Sequence, residues 1–332
     1  MRKCSEILLR LIAIIGLLIF IVLTLYSWRY TMEVSFHSEE LTDSRDTIWR
    51  SVLLLLLSAE IVFRLKTWEK CLTEKRVHIL TIVMALAAIV MGFVLIRSTH
   101  SETGTDQLHV YMVAEDIANG SGERFISGDD YFYCSPHQLG LAGVYALLMK
   151  ITGVYSGDLL RGFHALCMGV IVYVGFLITR QLSDDRRAEI IYLLGICSFL
   201  PLYLYVLFVY GEIIGTCGVF CAVWAFLKIN REQTPAGADG IKKVWRYWLI
   251  LAISMAFMYV ARKGLLVVWI AMFIIQGLLM LQKKGKLALL VLIGVLVLTL
   301  GSQSMLIHIS EKRMGADFGR GLSMMSWLAM ES

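Results

Sequence analysis

The chain has 332 residues, of which 58% are hydrophobic and 17% are charged. Soluble globular proteins carry about 45–50% apolar and about 25% charged residues, so this composition excludes that class. The net charge of +5 does not indicate a nucleic-acid partner, because Lys and Arg in short loops serve to orient membrane spans. The seven cysteines are scattered and show neither metal-ligand spacing nor a disulfide framework.

Apolar blocks along the chain predict an all-α fold, a polytopic bundle of about nine transmembrane helices. Each block has roughly 17–24 residues, the length needed to cross about 30 Å of hydrocarbon. The first block follows a basic N-terminus, but it is too long for a signal peptide and no small-residue cleavage site follows it. The predicted spans are 7–28, 48–65, 79–97, 160–180, 188–209, 212–228, 245–261, 264–282 and 286–306.

The positions of Lys and Arg predict the orientation of these spans. Arg2, Lys3 and Arg10 place the N-terminus in the cytoplasm of a cell-membrane protein. The acidic segment 30–47 then lies outside and the basic segment 66–78 lies inside. Consequently the third span ends at the outer face, and the long polar loop that follows it lies outside.

The apolar segment 138–151 is predicted not to cross the membrane. About 14 residues are few for a span. If it crossed, the basic clusters at 180–187, 228–246 and 283–286 would all lie outside. Without that crossing all three clusters are cytoplasmic, as the distribution of positive charge in membrane proteins requires, and 307–332 lies outside.

The outer loop 98–136 is the one long polar stretch, and long loops of this kind usually carry function. Apolar residues at 110, 113, 114 and 117 predict a helix that lies on the membrane and ends at Asn119-Gly120. Asp106 stands at the head of this helix, either as a simple N-cap or as a functional carboxylate. The acids of the loop, against a single Arg124, are Glu102, Asp106, Glu115, Asp116, Glu123, Asp129 and Asp130.

An aromatic cluster, 131–133, precedes Pro136 near the end of this loop. Such aromatics more often anchor a segment in the membrane interface than stack on sugars. His109 and His137 are candidate proton carriers or ligands. Two histidines with no third ligand at zinc spacing are a weak metal signal.

Two further charged features fall at the outer face in this topology. Glu212 opens the span 212–228, and Arg262-Lys263 forms an outer hairpin with no acid nearby in sequence. Two interpretations remain open for the basic pair. It either extends to the outer headgroups or binds an anionic group such as a lipid phosphate.

The order of these features resembles the C-type integral-membrane glycosyltransferases, above all the bacterial branch similar to glycosyltransferase family 39. Protein O-mannosyltransferases and lipid A aminoarabinose transferases belong to the same superfamily. The resemblance covers Ile79–Gly301. It rests on a surface helix headed by Asp, aromatic-Pro-x-Gln-x-Gly, an acid after Tyr-Gly, and an outer Arg-Lys-Gly.

The resemblance implies transfer of a sugar from a polyprenyl-phosphate donor to a glycan, lipid or protein acceptor at the outer face of the lipid bilayer. Asp106 would take the proton of the acceptor hydroxyl, since such transfer passes through an oxocarbenium-like state. Arg262 and Lys263 would bind the donor phosphate. Glu212 would orient the acceptor or, with Asp106, hold a divalent metal ion, and His109 and His137 would assist in substrate binding.

The chain departs from the family pattern in three respects. Many members have Arg three residues after the first Asp, where this chain has His109. Two helices in 1–78 precede the glycosyltransferase-like core, 79–306. The segment 307–332 resembles the start of an outer loop that is cut short, which implies a truncated or N-terminal portion of the enzyme.

Two other functions compete with the glycosyltransferase. A transporter or flippase for a lipid-linked or anionic solute would place charges and broken helices at the membrane midplane. Glu60 and His164 are the candidates for such charges. A non-catalytic membrane assembly partner is the third alternative. Acids at one face beside a cationic hairpin favour transfer, and no Gly-rich nucleotide loop is present, which favours a lipid-linked donor.

Overall fold

A computed structural model describes residues 2–34, 41–45, 47–99, 103–121, 131–132, 135–232, 238–281 and 286–314. The chain divides into two compact units. The smaller unit comprises Met1–Thr73 with Gly277–Lys284, and the larger unit comprises Glu74–Gln276 with Gly285–Ser332. The predicted boundary between the N-terminal helices and the core, at residue 78, lies close to this division.

The smaller unit contains two helices joined by a β-hairpin. Strands β1 (Tyr30–Val34) and β2 (Leu41–Arg45) pair antiparallel. The hairpin is absent from the all-α prediction, and β-branched and aromatic residues in β1 favour it. The helices are α1 (Arg2–Arg29) and α2 (Ile48–Cys71).

From Glu74 onward the described chain folds into helices α3 to α12. Their bounds are α3 Glu74–Thr99, α4 Thr105–Asn119, α5 Leu139–Thr152, α6 Gly157–Leu182, α7 Arg186–Ser198, α8 Leu200–Leu204, α9 Glu212–Glu232, α10 Ala238–Ala261, α11 Val267–Leu281 and α12 Lys286–Met314. Short 3-10 turns occupy Pro136–Gln138, Tyr205–Leu207 and Lys263–Leu266. Helix α12 continues beyond 306, where the last predicted span ends.

The protein is a multi-pass membrane protein by the length and hydropathy of its helices. In the described ranges six helices are long and apolar enough to cross a membrane, or seven if one bent pair counts as a span. They are α3, α6, α9, α10, α11 and α12. The prediction of about nine spans is therefore not confirmed. Helices α1 and α2 are not among the six, although α1 contains a shorter apolar segment, Ile14–Tyr26.

The bent pair consists of α7 and α8 with the turn that follows them, and its two parts meet at 52°. Arg180 near the end of α6 lies 3.8 Å from Glu189 in α7. Arg161 near the start of α6 donates to the carbonyl oxygen of Leu207 at 2.9 Å. About 28 Å of helix separates the two arginines, so the pair runs the length of α6. Pro201 accounts for the break, because proline clashes with the preceding turn of helix.

Helices α3 and α6 pack antiparallel through small residues. A Cβ added at Gly92 would lie 2.6 Å from the Cβ of Ala165, and one at Gly169 would lie 2.6 Å from Ile89. Such close contact of backbones is the usual way in which membrane helices associate. The start of α6 therefore lies beside the end of α3, where α4 begins. We call this the Asp106 end of the larger unit and the opposite one the Arg180 end.

Helix α5 occupies the predicted non-crossing segment. Its fourteen residues extend about 21 Å, less than the hydrocarbon thickness of about 30 Å. A Cβ at Gly140 would lie 2.9 Å from Val260, near the end of α10. Tyr145 contacts His164, near the start of α6, at 2.8 Å. These contacts lie at the Asp106 end, and the placement of α5 at the membrane surface stays a prediction.

Candidate active site

Helix α4 presents Asp106 in its first turn. The N-cap residue is Gly104, so Asp106 is not the N-cap residue and the interpretation of it as a simple N-cap is wrong. Its carboxylate is exposed and lies where the helix dipole favours negative charge. Gly120 ends the helix with φ of 73°, a conformation that glycine adopts without strain. The predicted helix is thereby confirmed, while its position on the membrane stays a prediction.

The apolar face of α4 packs against α5. Val110, Val113 and Ala114 are buried, and Ile117 is half-buried. These are the four positions of the predicted apolar stripe. Because this face is held by protein, the orientation of α4 is fixed, and Asp106, one turn before Val110 on the same face, lies at its exposed end.

The segment before α9 is held against the head of α4. The side-chain oxygen of Gln107 accepts a hydrogen bond from the backbone N–H of Val209 at 2.9 Å. On its other side, a Cβ added at Gly211 would lie 2.1 Å from the carbonyl oxygen of Ala261. Only glycine fits at this position. The close contact brings the start of α9, with Glu212, against the end of α10.

Tyr131 connects this segment to the head of α4, because it contacts both Tyr210 and His109. The hydroxyl groups of Tyr131 and Tyr210 lie 3.0 Å apart. Gln138 Nε2 donates to the hydroxyl of Tyr210 at 2.5 Å. The His109 ring stacks on Tyr131 with centroids 5.0 Å apart and planes 11° apart. Tyr131 therefore belongs to the site, although the aromatic cluster was predicted mainly as a membrane anchor.

Asp106 lies beside Tyr131. Burial of Tyr131 raises its pKa, as do the hydrogen bond and charge of Tyr210 and then the charge and hydrogen bond of Asp106. A negative charge next to a phenol disfavours loss of its proton. Tyr131 therefore stays protonated at neutral pH and is available to donate a hydrogen bond.

Glu212 and Arg262 form an ion pair across the ends of α9 and α10. The guanidinium also lies 5.9 Å from the centre of the Tyr210 ring, within the range of a cation–π contact. The expectation that Arg262 has no acidic neighbour holds in sequence but is wrong in space. Since the charge of Arg262 is already paired, it is a poorer candidate for binding a phosphate alone.

Lys263 is exposed beside Arg262 and makes no ion pair with any described residue. His137 lies near both basic residues: burial lowers its pKa to about 4, with Lys263 and then Arg262 contributing. His137 is therefore neutral at physiological pH. The backbone of His137 is held by Gln303, whose Nε2 donates a hydrogen bond to the His137 carbonyl oxygen at 3.2 Å.

All six predicted site residues thus lie at the Asp106 end. Contacts lead from Asp106 through Tyr131, Tyr210 and Arg262 to Glu212. Tyr131, Tyr210 and Gln138 were not predicted as site residues. The motifs that contain them, aromatic-Pro-x-Gln and Tyr-Gly-Glu, were the only signal in the sequence.

A buried hydrogen-bond network contacts the backbone of Tyr210. The Tyr145 hydroxyl contacts the carbonyl oxygen of Tyr210 at 3.0 Å and His164 Nε2 at 2.8 Å. His164 Nδ1 lies 3.3 Å from the carbonyl oxygen of Val206. Tyr145 and His164 are fully buried, so they tie α5, α6 and the Tyr210 segment together.

A divalent metal at Asp106 and Glu212 is not supported by the geometry. Among the residues whose positions are described, no three of His, Cys, Asp and Glu are grouped so that they could hold a metal ion. The contacts that link the two carboxylates run through Tyr131, Tyr210 and Arg262, and Glu212 already has a cationic partner.

No known family model, curated protein or solved structure matches this chain. The resemblance to C-type glycosyltransferases therefore stays a prediction.

Proposed function

We propose that the protein is a membrane glycosyltransferase that moves a sugar from a polyprenyl-phosphate donor to an acceptor hydroxyl. One observation carries the proposal. Two carboxylates, 106 positions apart in the chain, meet the same tyrosine–arginine cluster at one end of an apolar bundle, beside the exposed cation of Lys263. Transfer requires a base and a phosphate-binding cation at a single membrane surface.

Asp106 is the proposed base. Its carboxylate is exposed at the head of a rigid helix, so an acceptor can approach it. The acceptor hydroxyl gives its proton to Asp106 while its oxygen bonds to the anomeric carbon. The bond from that carbon to the donor phosphate breaks, and the phosphate oxygen keeps the electron pair. Polyprenyl phosphate is the leaving group.

Lys263 is the proposed partner of the donor phosphate. Its ammonium is exposed, and neutral His137 beside it offers a hydrogen bond. Arg262 contributes positive charge at the rim, but its ion pair keeps it on Glu212. We therefore assign Glu212 the task of positioning Arg262, in place of a direct contact with the acceptor.

The donor's hydrocarbon tail would lie against the exposed apolar faces of the spanning helices, whose many exposed Leu, Ile and Val side chains would otherwise contact lipid. The outer-face location and the cytoplasmic N-terminus are further parts of the proposal. They rest on the distribution of Lys and Arg in the sequence.

Reconstitution tests this function. The full chain is placed in liposomes with a radiolabelled polyprenyl-phosphate hexose or pentose and a mixture of glycan and lipid acceptors. We expect transfer by the wild type, a loss of at least about 100-fold in Asp106→Asn, consistent with removal of a general base, and near-normal transfer in Glu115→Gln on the same helix. Equal transfer by wild type and Asp106→Asn would contradict the base assignment.

A transporter is the second candidate, and the bent pair α7–α8 favours it, since broken helices line the substrate sites of many transporters. The two residues suggested for that role have structural partners. Glu60 pairs with Arg64 at 2.7 Å, and His164 is bonded to Tyr145. Uptake of intact donor into liposomes without release of polyprenyl phosphate would favour transport.

A further inference from the structure

A cavity of about 520 Å³ lies where the end of α4, one face of α5 and the end of α12 meet. Sites for small ligands commonly have volumes of about 300–1,000 Å³. None of the candidate active-site residues lines this cavity. Its carboxylate, Asp116, stands on α4 about 15 Å along the helix from Asp106, so the cavity is a separate site.

Much of the cavity wall is apolar, and part of that wall is exposed. Leu139 and Ala146 are buried, whereas Leu147 on α5 and Ile309 on α12 are 60% and 38% exposed. Ile309 lies near the end of the apolar helix segment Ala288–Lys312, which is long enough to cross a membrane. The end of such a segment reaches the headgroup region. The cavity therefore lies at a depth where a lipid headgroup meets its hydrocarbon chains.

Three polar side chains in the lining are hydrogen-bond acceptors. Ser121 donates its only hydroxyl proton to Asp116 Oδ1 at 3.3 Å. Ser310 donates its proton to the carbonyl oxygen of Leu306 at 2.8 Å. Both hydroxyl oxygens can then only accept, as does the carboxylate. This set is complementary to a primary ammonium group, which has three N–H donors and no acceptor.

The position of Asp116 also favours a positive charge in the cavity. The residue is 4% exposed and lies in the last turn of α4, at the negative end of the helix dipole. Its carbonyl oxygen accepts from the backbone N–H groups of Gly120 and Ser121, which fixes this turn. A buried carboxylate is stabilised when a cation lies beside it.

Lys150 brings a positive charge to the lining of the same cavity. It is exposed on α5 and forms no ion pair with Asp116 or with any other residue that the structure describes. A carboxylate on α4 and an ammonium on α5 thus line one cavity without neutralising each other. Lysine is a common partner of phosphate, so the two charges match those of a zwitterionic headgroup.

We propose that this cavity binds a phospholipid whose headgroup carries a primary ammonium, as in phosphatidylethanolamine. The ammonium donates to Asp116, Ser121 and Ser310, and the phosphate contacts Lys150. The hydrocarbon chains cover Leu147 and Ile309, which a free headgroup would leave exposed. The site is independent of the proposed transferase function.

Native mass spectrometry of the full chain, purified in detergent and stripped of lipid, measures binding. We expect phosphatidylethanolamine to bind about tenfold or more tightly than phosphatidylcholine, because hydrogen bonds to a charged group are lost with the latter. The trimethylammonium of phosphatidylcholine has the same charge but no N–H donor. Phosphatidylglycerol, which lacks the cation, should also bind weakly. Free phosphoethanolamine should not compete, because it has no chains.

Two variants test the location of the site, with thermal unfolding as the check that each is folded. A Cβ added at Gly143 meets nothing within 4 Å, so Gly143→Leu should fold, fill the cavity and abolish the preference for phosphatidylethanolamine. Gly195→Leu, where an added Cβ also meets nothing within 4 Å, is the matched control. Asp116→Asn should remove the preference as well, whereas Glu115→Gln on the same helix should keep it.

Equal affinity of the wild type for phosphatidylethanolamine and phosphatidylcholine would overturn the proposal. A preference that survives in Gly143→Leu would do the same, because the lipid would then bind elsewhere. Full competition by free phosphoethanolamine would overturn the assignment to a lipid. If Asp116→Asn does not fold, Gly143→Leu against Gly195→Leu decides alone.

Discussion

Glu212 and Arg262 are neighbours because Gly211 lets the start of α9 approach the end of α10. The two residues are 28% and 47% exposed and form an ion pair, and the same guanidinium lies over Tyr210. Arg262 is thus the link between the two carboxylates of the site. This relationship predicts that Glu212 acts through Arg262.

Glu212→Gln should therefore affect function more than stability. A pair this exposed is worth at most about 1 kcal/mol, so the free energy of unfolding should change little. Freed from Glu212, Arg262 can leave Tyr210, and we expect donor turnover to fall about tenfold or more. Asp158→Asn, which breaks the pair with Arg161 at the same end, is the control. A large loss of stability with normal turnover would assign the pair a purely structural role.

Gly211→Ala should damage both packing and the site. The added Cβ would lie 2.1 Å from the carbonyl oxygen of Ala261, so backbone must move, at a cost of about 1–3 kcal/mol or more. Thermal unfolding in detergent measures this loss. Gly195→Ala, where an added Cβ meets nothing within 4 Å, should be neutral or stabilising. Similar stability of the two variants would show that the Gly211 contact is unimportant.

Lys263→Ala should weaken binding of polyprenyl phosphate more than Arg262→Ala does. A hydrogen bond to a charged group contributes about 1.5–3 kcal/mol, which corresponds to tenfold or more in affinity. Lys75→Ala changes an exposed lysine on α3, at the Arg180 end, and is the matched control. Equal affinity in all three variants and wild type would favour the interpretation that Lys263 only extends to lipid headgroups.

The sequence predicted the ends of this site better than its middle. The helical period of the apolar residues located α4, and Asn119-Gly120 indicated where it ends. The distribution of Lys and Arg along the sequence predicted that Glu212 and Arg262-Lys263 lie at the same membrane face as Asp106. The tyrosines that join them were not predicted, because the Tyr131–Tyr210 contact spans 79 positions and no local pattern encodes such a pairing.

Two features of the fold also escaped prediction. Pro201 inside the predicted span 188–209 was a visible signal for a break, yet hydropathy alone treats a straight and a bent helix alike. The hairpin β1–β2 lies in a polar connection where charge indicated only the side of the membrane. The nine spans predicted from hydropathy are not confirmed, since among the described residues six helices, or seven with the bent pair, are long and apolar enough to cross a membrane.

Stability should fall in acid because of His137. Burial and the neighbouring cations lower its pKa to about 4 in the folded state, against about 6.5 unfolded. Between these values the unfolded state binds more protons, so stability rises with pH across about 4–6.5, by at most about 3 kcal/mol. His137→Gln should flatten thermal stability over this window, whereas His308→Gln, exposed on α12, should not. An unchanged slope in His137→Gln would contradict the burial argument.

The topology predicts that Ser183, near the Arg180 end, faces the cytoplasm. In a variant with the native cysteines replaced, Ser183→Cys should resist an impermeant thiol reagent added to intact cells. Val154→Cys, exposed at the Asp106 end, should react. Labelling of Ser183→Cys from outside would invert the orientation and move the whole site to the cytoplasmic face.

Product stoichiometry tests glycosyl transfer most directly. Wild-type protein in liposomes is incubated with a polyprenyl-phosphate sugar and acceptor, and mass spectrometry counts both products. The account predicts one polyprenyl phosphate released for each glycosidic bond formed, and neither product in Asp106→Asn. Donor that crosses the bilayer intact, with no glycosidic bond formed by the wild type, would contradict it.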